Sequence, residues 1–145
     1  MFSLIITIIS IALVAALAVA TIYYGGSAFT QGTAKANASA LVGASQQITG
    51  ANTLYFNDKS GNATDIAALV TAGYLQAAPT APANVGGLTL AAGQVTAKVS
   101  SKAVCDAIVS SITGGAVSTA AGTVDNTRQY DCYGSAAPYD FRFKG

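Results

Sequence analysis

Histidine, glutamate and tryptophan are all missing from these 145 residues, and all six acids are aspartates. Without histidine there is no Ser–His or Cys–His pair for nucleophilic catalysis. The two cysteines have no histidine to complete a zinc site and do not form a CxxC. The glycines of "SITGGA" and "VGGLTL" match neither a phosphate loop nor a dinucleotide fingerprint, and the scattered aspartates read as solvated surface groups. The composition therefore points away from an enzyme, and no cofactor or metal is expected. Charge is scarce as well. Charged residues make up 9% of the chain, against about 25% in soluble domains.

Net charge is +1, which argues against a general nucleic-acid binder, whose signature is a basic face or stripe. Lys98, Lys102, Arg128, Arg142 and Lys144 lie in the last third. Asp106, Asp125, Asp131 and Asp140 are interspersed with them, so nucleic acid as a partner has no support in the pattern.

What is present is a long apolar beginning. From Met1 to Tyr24 there is no charge, proline or glycine, and the first charge is Lys35. As a helix these 24 residues reach about 36 Å, enough to cross a ~30 Å hydrocarbon layer. The polar interruptions are Ser3, Thr7, Ser10 and Thr21, small hydroxyls that can bond back to their own helix. Tyr23 and Tyr24 stand where an interfacial aromatic belt would be. Gly25 and Gly26 then weaken the helix. The run lacks the basic n-region of a secretory signal, which fits a mature chain whose short basic leader has been removed. "ALAVA" could nevertheless serve as a cleavage site. Five of the nine residues in "ALVAALAVA" (12–20) are alanine, and small side chains let helix backbones approach closely.

The helical pattern continues beyond the two glycines. Ala34, Leu41, Ala44, Ile48, Ala51 and Tyr55 fall near one face, while Gln31, Asn37, Gln46, Gln47 and Thr53 fall elsewhere. The expected helix is about 55 residues long, apolar all round in its first half and amphipathic in its second. Gly32, Gly43 and Gly50 each cost up to ~1 kcal/mol in a helix and mark close packing or bending. "NDKSGNATD" (57–65) reads as a loop. Thr64 is the expected cap of a short helix, with Asp65 in its first turn and Gly73 at its C-terminus.

"GLTLAAGQVTAKV" reads as two antiparallel strands around a glycine turn, with Leu88 and Leu90 on one face and Val95, Ala97 and Val99 on another. Ser100 or Ser101 caps a helix, "KAVCDAIVSSIT", that turns Cys105, Ile108 and Ile112 inward and ends at Gly114-Gly115. A loose stretch (115–126) comes next. "TRQYDCY" and "PYDFRFK" read as closing strands, with Tyr139, Phe141 and Phe143 alternating against Asp140, Arg142 and Lys144. Behind a membrane-inserting lead, Cys105 and Cys132 are expected to pair, because such a lead exports the rest of the chain to an oxidising space.

The resulting fold class is α+β. A long N-terminal helix, with its apolar half protruding and its amphipathic half in the head, packs on a small antiparallel sheet with one disulfide. The domains expected are an apolar transmembrane or filament-core helix (1–26) and an extracytoplasmic globular head (27–145).

This organisation resembles the type IV pilins and pseudopilins, nearer the type IVb group. The resemblance rests on the uncharged helix from Met1-Phe2, its amphipathic continuation, "LVTAGYL" leading to Pro79, and the cysteines enclosing the C-terminal region. It covers the whole chain in organisation. It implies a precursor in the inner membrane, leader removal by a prepilin peptidase and methylation at Met1. An assembly machinery would then add the subunit to an extracellular helical filament of identical copies. The packing residues expected in the filament core are Phe2, Leu4, Ile5, Ile8, Ile9, Leu13, Ala16, Leu17 and Ala20, with Gly25 and Gly26 giving flexibility. Adhesion, motility, DNA uptake or conjugation are the roles implied. The alternatives are a membrane-tethered extracytoplasmic binding module and a phage-type filament coat. One position departs from the family: Ile5 stands where pilins carry a glutamate that neutralises a neighbour's terminal amine. A buried ammonium without a partner costs several kcal/mol. The Ser3 and Thr7 hydroxyls and neighbouring carbonyls are the groups at hand to compensate.

Overall fold

The computed structural model describes residues 2–114 and 127–145. Met1, Asp125 and the stretch 115–126, including Gly115, lie outside them. Contacts divide the chain into two units, Met1–Thr33 and Ala34–Gly145. Helix α1 (Phe2–Lys59) contributes to both and continues through Gly25, Gly26, Gly32, Gly43 and Gly50. It also runs into the expected 57–65 loop, ending where Ser60 takes a positive φ of 57°. The Ser60 N–H closes the last turn on the Phe56 carbonyl at 2.7 Å.

The second unit is an α+β head. Strands β1 (Thr89–Ala91), β2 (Gln94–Val99), β3 (Tyr130–Tyr133) and β4 (Tyr139–Lys144) form an antiparallel sheet in the order β1-β2-β4-β3. Helices α2 (Ile66–Thr71) and α3 (Lys102–Thr113) complete it. β4 lies centrally, with Val95 opposite Phe143, Ala97 opposite Phe141 and Val99 opposite Tyr139. These side chains and Leu90 are buried together. Leu90 and Val95 are directly paired, so they share a face rather than lying on two as the alternation of each strand alone had implied. Direct partners in an antiparallel ladder always point to the same side.

α1 closes over that core with Ala34, Ala38, Leu41, Ser45, Ile48, Ala51 and Asn52. The 34–38–41–45–48–52 spacing is the 4-3 repeat of a helix seam. Ser45 and Asn52 hold inward positions that a search for apolar residues passes over, and Ala44 is only half-buried. Each polar group is satisfied locally. The Ser45 hydroxyl donates to the Leu41 carbonyl at 2.8 Å. Asn52 Oδ1 accepts from the Ala63 N–H, and its Nδ2 donates to Asn62 Oδ1, both at 2.9 Å. Asn52 thereby pins the loop that leads into α2.

The cap of α2 is Asp65, not Thr64: Asp65 Oδ1 accepts from the Ala68 N–H at 2.7 Å. A carboxylate there also meets the helix dipole favourably. Replacing Asp65 by alanine should lower head stability by about 1 kcal/mol in urea unfolding. At the other end Gly73, at φ 82°, donates to the Val70 carbonyl while Tyr74 donates to that of Leu69. This six-to-one pairing needs the left-handed residue between the helix and Tyr74. Leu75 then enters the core.

The β1–β2 turn has positive φ at both Ala92 (49°) and Gly93 (77°), the backbone twist that two-residue hairpins require. α3 begins after Ser101 without a side-chain cap bond and ends at Gly114, φ 69°. It buries Val104, Cys105, Ile108 and Val109, so the inward face is centred one residue away from the expected Cys105–Ile108–Ile112 line, and Ile112 is half-buried. The Cys105–Cys132 disulfide joins α3 to β3 across a Cα–Cα distance of 5.5 Å. On β3 the nearly buried Asp131 accepts the Cys132 N–H at 2.9 Å.

Candidate packing surface

In the first unit the large apolar side chains face solvent. Phe2 is 84% exposed, and the expected packing residues Leu4, Ile5, Ile8, Ile9, Leu13 and Leu17 are more than half exposed. Ala16 and Ala20 are exposed too, as is Gly26, while Gly25 is half-exposed. At about 100° per residue, the nine expected residues cover roughly 220° of the helix surface. Ile6, Val19 and Ile22 are exposed within that arc, and Ile11 and Val14 are exposed outside it. The side left over carries the hydroxyl residues Ser3, Thr7, Ser10 and Thr21, so the run has no charged face but does have a weakly polar one.

The hydroxyls do not make this surface wet. Thr7 donates to the Leu4 carbonyl at 2.8 Å, Ser10 to Ile6 at 2.8 Å and Thr21 to Ala18 at 2.9 Å. Ser27, Thr30 and Thr33 bond back in the same way. A helix that satisfies its own hydroxyls can enter an apolar medium at little polar cost. Tyr23 and Tyr24 meet edge to face, centroids 5.6 Å apart, at the end of the apolar run. By length and composition this helix is apolar enough to act as a membrane anchor or a signal segment. Met1, expected to carry the processed amine, lies outside the described residues.

Small residues mark one line of this unit. Ser3, Thr7, Ser10, Thr21, Gly25, Ala28 and Gly32 fall within an arc of about 60° at ~100° per residue, with Val14 the larger side chain among them. In the head, Gly43 and Gly50 repeat the seven-residue spacing of Gly25 and Gly32, on the side of α1 roughly opposite its buried seam. A Cβ built at any of these four glycines meets no atom within 4 Å. Among the described residues no contact requires glycine there, yet each costs helix stability. Gly50→Ala should therefore raise head stability by about 0.5–1 kcal/mol in thermal melts.

The head's charges are engaged chiefly on its surface. Lys98 pairs with Asp140 across β2 and β4, and Lys102 with Asp106 one turn along α3. The hydrogen bond to Asp106 raises the Lys102 pKa, and the hydrogen bond to Asp58 raises that of Tyr74. Arg128 lies 3.8 Å from Asp131. Among the described residues, no group of His, Cys, Asp or Glu is arranged to hold a metal ion. No protein-family model matches the chain, and no curated protein or solved structure is significantly similar to it.

Proposed function

We propose that this chain is the structural subunit of a type IV pilus-like filament, held in the inner membrane by its apolar helix and then packed, helix against helix, into an extracellular fibre. The observation that carries this reading is the first unit itself: an uncharged helix, apolar over most of its surface, with its described side chains exposed or half-exposed and its threonine hydroxyls internally satisfied. Such a surface requires either lipid or protein around it.

Moving from lipid to a fibre core exchanges one apolar environment for another, so hydrophobicity alone does not favour assembly. Close backbone approach does, because it adds dispersion contacts that loosely packed lipid tails do not provide. The small-residue line supports that choice. Each glycine on it weakens its own helix and gives access to a neighbouring one. Repeated contacts that do not close on themselves generate a fibre. With Ile5 in place of an acid, the terminal amine in this reading relies on carbonyls and hydroxyls of neighbouring copies.

The test is to shear expressing cells and image the supernatant. Fibres of constant width that contain this chain support the proposal. Protein found solely as detergent-solubilised monomers overturns it in favour of a membrane-tethered module.

A further inference from the structure

A second site lies in the head, far in chemistry from the apolar helix. The α1 residues Thr49, Asn52 and Phe56, Asn62 of the following loop, Gln94 at the start of β2 and Lys144 at the end of β4 help to line a cleft of about 280 Å³. Three observations set it apart from an ordinary crevice. The Thr49 hydroxyl is buried without a hydrogen-bond partner among the described residues, an uncommon state for a polar atom. Phe56 is 47% exposed and is, among the described residues, one of two large apolar side chains of the head left in solvent, the other being Leu54. The Asn62 amide is held in place through its oxygen, which accepts from Asn52, leaving its two N–H donors for another partner.

We infer that this cleft binds a neutral hexose ring. The inference is independent of the filament reading and would stand for a monomeric head. The chemistry comes from the lining. A pyranose presents an apolar C–H face and a rim of hydroxyls that both donate and accept. An exposed aromatic ring at a polar cleft offers a surface for the C–H face, with the geometry-dependent attraction of its π-system. The Asn62 and Gln94 amides supply donors and an acceptor to the rim. Among the described side chains that line the cleft the one charged group is Lys144, which disfavours a cationic ligand. The volume falls at the small end of ligand sites and suits one ring rather than a peptide. The fold prepares these groups in advance: Asn52 fixes Asn62, and a Cβ at Gly93 would stand 3.1 Å from Asn62 Oδ1, so the turn glycine keeps that amide in place.

The test uses the full chain in detergent micelles, titrated separately with glucose, galactose and N-acetylglucosamine and monitored by backbone amide NMR. Sorbitol, an open-chain polyol, is the control. The expected result is saturable shifts at Thr49, Phe56 and Gln94 with at least one hexose, with Kd on the order of 1–10 mM. Sorbitol should leave them unmoved. Phe56→Ala should weaken binding at least about tenfold, the loss expected for one aromatic contact, with the thermal transition of the head retained. Gln94→Ala should weaken it without changing the fold. Absence of saturation with all three sugars, equal shifts with sorbitol, or undiminished binding by Phe56→Ala would each overturn the inference.

Discussion

Cells expressing Ala16→Asp should release no filaments, while the head of the variant folds and forms its disulfide as in the parent. Ala16 sits near the middle of the apolar run, and the buried residues of the head begin at Ala34. An aspartate at the centre of a spanning helix costs about 2.5–3.5 kcal/mol for insertion. In a fibre the same carboxylate recurs in every copy, with no cationic side chain before Lys35 to meet it. If crowding these carboxylates together costs as much again, each association step falls by roughly a hundredfold, and a fibre requires many steps. Ala16→Ser is the control. A serine hydroxyl can bond back to its own helix, as Ser10 does to Ile6, so this variant should form fibres of normal width. Electron microscopy of sheared material, with urea unfolding of the head, reads both results. Parental fibres from Ala16→Asp would show that the first unit is not packed in a core.

Elements whose pattern is carried by side-chain polarity were legible in the sequence. β4 is the clearest: its aromatic residues alternate with charged ones, and burial alternates in step. The apolar first unit was legible for the same reason, the two glycine helix ends from backbone freedom, and the pairing of Cys105 with Cys132 from the compartment that such a lead implies. The features that escaped notice were polar and inward. Ser45 and Asn52 occupy seam positions because their hydrogen bonds close within a few residues, and polarity scales cannot register that satisfaction. Asp65 displaced Thr64 as the cap because an aspartate side chain reaches the third N–H of the helix while meeting its positive end. The common face of β1 and β2 depended on pairing, which alternation within each strand does not encode. The hexose cleft brings together residues from 49, 62, 94 and 144, four separate segments, and only the Asn52–Asn62 bond and the central place of β4 unite them. The packing surface has the opposite character: its residues are contiguous, and the feature hidden in the sequence was the line of unpartnered glycines within it.

Removing the Cys105–Cys132 bond, by reduction or by replacing both cysteines with alanine, should cost the head about 3–4 kcal/mol. The bond spans 27 residues of sequence, and closing a loop of that size restricts the unfolded chain by this amount in the chain-entropy model. That is a large share of the roughly 5–15 kcal/mol that holds a small domain together. The folded side adds little to the loss. Both cysteines are buried among apolar neighbours, and alanine there leaves only a small deficit in packing. Hydrogen bonds still hold β3 to β4, whereas α3 keeps its packing against β3 and the core and the 3.3 Å contact between the Ser111 and Tyr130 hydroxyls. The expected signature is a lower urea midpoint with near-native helix content before the transition, and earlier hydrogen exchange in α3 than in β2 and β4. Coincident midpoints for the oxidised and reduced head would mean that packing of Val104, Ile108 and Val109 alone anchors α3. The bond would then be dispensable to the fold.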